Sequence, residues 1–248
     1  MAKKTIVKPK KASGQRKVAI FDIDGTIFRS SLLIEITEAL IHAGIFKKKL
    51  RKMYEKPYQR WLDRTGHYDD YIGGVIKAFE GHIKGVDSDV FMRVAERVVD
   101  FHKDRVYRYT RDLVRDLKKK GYFLLAISNS PREVLKPFCA KLGFDKVYGR
   151  IYEVDKNNRF TGTTLFLDMI SDKAVILRRA IARNDLTLKG SIGVGDTQSD
   201  IRFLQLVEQP ICFNPNMVLY RHARRRGWEI VVERKDVVHH FGPLTRVA

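Results

Sequence analysis

The sequence predicts an α/β protein: a Rossmann-like parallel-sheet core interrupted by an inserted helical domain. Three observations carry this. Short apolar runs at Val18–Phe21, Phe123–Ile127, Ser191–Val194, Ile211–Phe213 and Ile230–Val232 alternate with helical patterns, as in a parallel sheet covered on both faces. From Ser30 to Arg105 the alternation stops and only helical patterns remain. Polar clusters follow directly on three of the runs, where an open α/β sheet binds its ligands.

The elements follow in order. Val18–Phe21 is a buried strand that ends at Asp22. Leu32–Ala43 carries an apolar helical face at Leu33, Ile36, Leu40 and Ile41, and Gly44 is its stop signal. The basic stretch Lys47–Arg64, with Tyr54, Tyr58 and Trp61, comes next, then helical patterns over Tyr71–Ile83 and Val90–Phe101. The aromatic residues of this insert read as its own core, and its basic stretch as a solvated face or one suited to anionic substrates. Ser130, Pro131 and Glu133 form a helix-start signature with Ser130 as cap, and Gly143 is the stop. Pro137 predicts a kink or an earlier end. Arg224–Arg226 before Gly227 suits a helix C-terminus. The expected organisation is a core of residues 17–29 and 106–236, a helical cap at 30–105, a disordered basic tail at 1–16 and a C-terminal tail at 237–248.

The chain has 248 residues, is 44% hydrophobic and carries a net charge of +19. This is globular composition. No apolar run is long enough to cross a membrane, and the run from Val18 is broken at Asp22, so no secretion signal is expected. Cys139 and Cys212 sit in dissimilar contexts, which predicts free thiols and a cytoplasmic location. Met1–Lys17 holds seven positive charges and no acid. Such a tail is expected to be solubilising, or to make nonspecific contact with polyanions. Zinc-finger spacing and aromatic-interleaved RNA motifs are absent from the sequence. The seven histidines lack ligand-like spacing.

The polar clusters are Asp22-Ile-Asp24-Gly25-Thr26, Ser128-Asn129-Ser130 and Gly195-Asp196-Thr197-Gln198-Ser199-Asp200, with Lys173 opening an amphipathic segment between the last two. Side chains two apart on a strand point the same way, so Asp22 and Asp24 can serve one site. Taken singly, each cluster is an ordinary turn or helix cap; the ordered set is the signal.

That set resembles the four motifs of the haloacid dehalogenase superfamily: DxDGT, Ser, Lys and GDxxSD. The helical insert after the first motif matches members with a C1-type cap. More narrowly, SNSPREVLKPFCAKLGF, the hairpin-like NRFTGT, GDTQSDIRFLQLVEQPICFNPN and RRRGW resemble subfamily IB, the phosphoserine-phosphatase-like phosphatases. The resemblance spans roughly Lys17 to Val232 and is loose in the cap.

The resemblance implies a Mg²⁺-dependent phosphomonoesterase acting on a small phosphorylated substrate. It makes Asp22 the nucleophile and a metal ligand, and Asp24 the general acid/base with its backbone carbonyl on the metal. Asp196 would be the second carboxylate ligand, with Asp200 behind the metal's water shell. Ser128, the Asn129 backbone N–H, Lys173 and Thr26 would hold the phosphate. The physics agrees: an anionic nucleophile attacking a phosphate dianion needs positive charge beside it. In the phosphoserine phosphatases a glutamate nine residues after the nucleophile grips the substrate's ammonium. Here that position is Ser31, and Glu35 is the next acid. Phosphoserine is therefore expected to be a poor substrate. The rival expectations are a polyanion- or nucleic-acid-binding protein on the same scaffold, a nucleic-acid end phosphatase, and phosphoryl transfer to another acceptor.

Overall fold

The computed structural model describes residues 15–242. Eight strands form one sheet in the order β4-β3-β2-β1-β5-β6-β7-β8. They are β1 (Arg16–Phe21), β2 (Phe123–Pro131), β3 (Lys146–Val154), β4 (Phe160–Leu165), β5 (Leu186–Gly195), β6 (Gln209–Phe213), β7 (Glu229–Arg234) and β8 (Val237–Phe241). The six central strands run parallel, and the antiparallel β4 and β8 close the two edges. All five apolar runs read from the sequence lie in this parallel set. Side chains of β1 alternate between the faces: Val18 and Ile20 join one buried cluster, Ala19 and Phe21 the other.

Between β1 and β2 the chain forms α1 (Leu32–His42), a short 3₁₀ turn (Lys48–Met53), α2 (Glu55–Leu62), α3 (Tyr68–Glu80), α4 (Ser88–His102) and α5 (Arg108–Lys119). The buried face of α1 includes Leu33, Ile36, Leu40 and Ile41, as its periodicity predicts. Asp87 caps α4 by accepting from the Asp89 and Val90 amides. After β2 come α6 (Arg132–Leu142), α7 (Leu167–Ile170), α8 (Lys173–Asn184), α9 (Ile201–Leu204) and α10 (Met217–Arg226). Gly227 ends α10 with φ +67°, just after its three arginines.

Four expectations are corrected. Ser130 does not cap α6: the N-cap is Pro131, without a side-chain bond, because the Ser130 hydroxyl is engaged elsewhere. Pro137 does not end α6, which runs on to Gly143 at φ +81°. The C-terminal tail begins as structure, since Val237–Phe241 pairs with β7; five residues at an edge carry little apolar signal. Arg16 belongs to β1 rather than to the basic tail, of which residues 1–14 lie outside the described residues.

The hairpin of β3 and β4 leaves the sheet edge and joins the helical insert. The Gly85 amide donates to the Phe160 carbonyl at 2.8 Å, and the Phe160 amide to the Val86 carbonyl at 2.9 Å. Phe160 packs edge-on to Phe91, and Tyr152 against Phe79, with ring centroids 5.2 and 5.3 Å apart. No helix among the described residues is long and apolar enough to cross a membrane. Cys139 and Cys212 are both free and buried.

Candidate active site

The carboxyl ends of β1, β2 and β5 bring the sequence-predicted residues together below the helical insert. Asp22 follows β1 directly and is buried. Its Oδ1 accepts from the Lys173 ammonium at 2.5 Å, while Oδ2 is buried with no hydrogen-bond partner among the described residues. Lys173 is the first residue of α8, which Asp172 caps through the Ala174 amide. The same ammonium donates to Asp200 Oδ1 at 2.5 Å. Asp200 Oδ2 accepts from the Asp196 and Thr197 amides, each at 3.0 Å, so both of its oxygens have protein donors.

Asp22, Asp196 and Asp200 offer carboxylate oxygens within 4.8 Å of one another. Thr26 is buried, and its hydroxyl donates to Asp196 Oδ1 at 3.4 Å. Gly25 adopts φ +83°, and a Cβ there would lie 2.1 Å from Asp196 Oδ2. Only glycine lets the turn after β1 come this close to that carboxylate.

Asp24, like Asp200, has protein donors on both of its oxygens. The Leu32 amide donates to Oδ1 at 2.6 Å, and the hydroxyls of Ser128 and Ser130 donate to Oδ2. Ser130 Oγ also accepts from the Leu33 amide at 3.1 Å. The first amides of α1 are thus satisfied by residues of the sheet rather than by Ser31, the helix's own N-cap residue, which makes no cap bond. Ser128 was expected to face phosphate, but here its one proton points at Asp24. Asn129 is exposed and lines the pocket. Ser130 is the site residue the sequence reading assigned elsewhere.

Charge is unbalanced here, with Asp22, Asp24, Asp196 and Asp200 against one lysine. Burial pushes Asp22 up to about 7; Lys173 opposes this, and Asp200 and Asp24 add to it. Burial also raises Asp24, against its hydrogen bonds from Ser128, Leu32 and Ser130. It lifts Asp196 well above the usual carboxylate range, with Asp22 and Asp200 adding to the effect. For Lys173 burial works the other way, but Asp200 and Asp22 outweigh it and hold the ammonium charged. Such a cluster takes up protons or a cation.

Above these groups opens a cavity of about 1060 Å³, lined by the sheet ends and by α1, α2 and α3. Two acids on α1 face it, and both are paired. Glu35 meets Arg105 at 2.8 Å and His102 at 3.1 Å. Glu38 accepts from Arg51 at 2.6 Å and from the Tyr54 hydroxyl at 2.5 Å. The aromatic residues divide. Tyr54 and Tyr71 are buried, as a core reading expects. Tyr58 and Trp61 line the cavity from α2, a helix with no buried residue.

A sequence profile of the haloacid dehalogenase-like hydrolases matches residues 19–205. The histidinol-phosphatase of Neisseria meningitidis is 22% identical over 228 residues, covering 87% of this chain and 98% of its own. Phosphoserine phosphatase SerB1 of Mycobacterium tuberculosis is 26% identical over 217 residues, covering 86% and 69%. A solved phosphoserine phosphatase, a phospho-aspartyl intermediate analogue, superposes with a TM-score of 0.59 at 17% identity, covering 90% of this chain and 95% of its own. The chain belongs to the haloacid dehalogenase-like hydrolase family. Within it, the chain falls among the phosphoserine-phosphatase-like phosphatases.

Proposed function

We propose that the protein is a Mg²⁺-dependent phosphomonoester hydrolase that works on a small substrate through an aspartyl-phosphate on Asp22. One observation carries this reading. Asp22 is a buried carboxylate with one oxygen on Lys173 and the other without a partner among the described residues. A buried charged oxygen left bare is costly unless a ligand meets it.

The donor set fits a hard cation with oxygen ligands. Asp22 and Asp196 would hold it, with the backbone carbonyl of Asp24. Asp200 already has donors on both oxygens and would stand behind, fixing Lys173 and the Asp196 turn. Bound there, Mg²⁺ would offset the excess carboxylate charge and the charge of the phosphoryl group.

Asp22 attacks phosphorus and the bond to the leaving oxygen breaks. Asp24 gives its proton to that oxygen; the raised affinity of this buried carboxyl for protons is what the step requires. Asp24 then takes a proton from water, whose oxygen attacks phosphorus and releases phosphate and the free Asp22 carboxylate. Lys173 opposes protonation of Asp22 before the attack and faces the phosphoryl charge throughout. Before donating to a phosphoryl oxygen, the Ser128 hydroxyl must turn from Asp24. Asn129 would offer its backbone N–H, and Thr26 keeps Asp196 in place.

Phosphate release from generic alkyl and aryl phosphates is the test, with and without Mg²⁺, in wild-type protein and in Asp22→Asn. Turnover that needs both Mg²⁺ and Asp22 is expected. Metal-independent turnover, or undiminished turnover in Asp22→Asn, would overturn the assignment, and no turnover on any ester would favour the binding-scaffold reading.

A further inference from the structure

The cavity above Asp22 has a wall the phosphoryl chemistry does not require. On α2, Tyr58 and Trp61 stand three residues apart and so share one helix face. On α3, Tyr68 and Tyr71 do the same. The four rings form one array: Trp61 lies stacked on Tyr71 with centroids 5.9 Å apart and planes at 21°, Tyr58 meets Tyr71 at 4.9 Å, and Trp61 meets Tyr68 edge-on at 5.6 Å. All four line the cavity that also holds Asp22 and Asp24. Were this array only the core of the insert, α2 would bury its apolar face. Instead it buries no residue, and Tyr58 remains 39% exposed. Tyr68 lines the same cavity as Asp22, Asp24 and Asp196.

The polar side of the cavity points the same way. Glu35 and Glu38, the two acids of α1 at the wall, are each neutralised by an arginine. With both α1 acids paired, the rings offer apolar faces and edges beside the charged side chains of Arg29 and Glu55. The volume of about 1060 Å³ lies at the upper end of small-molecule sites, typically ~300–1,000 Å³. A leaving group of a few atoms would leave most of it empty.

We infer that the substrate is a phosphomonoester whose alcohol carries an aromatic or heteroaromatic ring, held against the Tyr58, Trp61, Tyr68 and Tyr71 array. This rests on the hydrolase reading above and adds the class of leaving group to it. Offset-stacked and edge-on contacts give an aromatic ring an advantage over a saturated ring of similar size.

The experiment compares kcat/KM for 3-phenylpropyl, 3-cyclohexylpropyl and propyl phosphates at equal Mg²⁺ and pH. All three release a primary alcohol, protonated by Asp24 as it leaves, so the chemical step is matched. The phenyl ester is expected to exceed the propyl ester by roughly ten- to a hundredfold, from burial of the ring. It should exceed the cyclohexyl ester by about two- to tenfold. Trp61→Leu should bring the phenyl-to-cyclohexyl ratio close to one, mainly through KM, and Tyr58→Leu provides the same reading if the first variant does not fold. Equal rates for phenyl and propyl esters, or for phenyl and cyclohexyl esters, would overturn the inference and leave the hydrolase standing. No hydrolysis of any of the three would overturn both.

Discussion

The Leu32 backbone N–H donates to the Asp24 carboxylate at 2.6 Å, so the proposed general acid also starts the first helix of the insert. The two roles predict different responses to substitution. Asp24→Asn keeps an acceptor for Leu32 and removes a charge that burial disfavours. Asp24→Ala leaves that amide and two hydroxyls without their acceptor, a loss of about 0.5–2 kcal/mol for the cap alone. Without metal at neutral pH, Asp24→Asn should melt at or above wild type and Asp24→Ala below it. In turnover, Asp24→Asn should lose more on alkyl than on activated aryl phosphates. Equal losses on both would argue against proton donation by Asp24.

Metal binding should strengthen with pH. Asp22 is raised to about 7 in the folded protein from its ordinary 3.8. A carboxyl raised in this way contributes stability at acid pH that is lost as pH climbs through the folded value. Without metal, thermal stability should therefore fall between roughly pH 4 and pH 7 from this group. Mg²⁺ needs the ionised carboxylate, so the melting-temperature gain on adding it should be small near pH 5 and larger near pH 8. A gain that does not change with pH would remove Asp22 from the metal's ligands.

Gly25→Ala should damage the metal site more than the fold. Its Cβ would collide with Asp196 Oδ2 at 2.1 Å, and its φ of +83° resists a side chain. The expected result is an activity loss that added Mg²⁺ partly restores, measured as activity against metal concentration. Unchanged Mg²⁺ dependence would show that Asp196 can turn away at no cost.

Phosphoserine should be no better a substrate than the phosphate ester of 3-hydroxypropanoate, which lacks the amine. Ser31 is uncharged and buried, and Glu35 is held between Arg105 and His102. A charged hydrogen bond to the ammonium would give about 1.5–3 kcal/mol, roughly a ten- to hundredfold preference. The ratio of kcat/KM for the two esters should be near one. A clear preference for phosphoserine would mean that Glu35 leaves Arg105 when substrate arrives, and Glu35→Gln would then abolish it.

Much of the fold was legible because its central strands are unbroken apolar runs buried on both faces. At the edges only the hairpin-like NRFTGT was legible. β3 carries Arg150 and Glu153, β4 reads FTGTTL, and β8 ends in two histidines and a phenylalanine. Half-buried strands mix polar and apolar residues and lose the signal. That Asp22, Asp24, Ser128, Lys173 and Asp196 lie together could be read in advance because motif spacing at strand ends survives in the chain order. Ser130 was misread because its partners Leu33 and Asp24 lie 97 and 106 positions away. A serine before a proline and a helix looks like a local cap until those partners are seen. The pairing of Glu38 with Arg51 and Tyr54 was hidden for a related reason: charge counts along a chain do not say which charges meet.

The β3–β4 hairpin constrains how the site can open. Its backbone is stitched to the insert at Gly85, Val86 and Ser88, and its rings interlock with Phe79 and Phe91. A lid swinging as a whole would have to tear this seam or drag the sheet edge with it. α2, which lines the cavity, buries none of its side chains and meets α3 through the rings of Tyr58 and Trp61. Of the helices lining the cavity, α2 has the least buried surface to lose, while α3, α4 and the hairpin are joined into one frame. A displacement of α2 would leave the pairs of Lys173 with Asp22 and Asp200 in place.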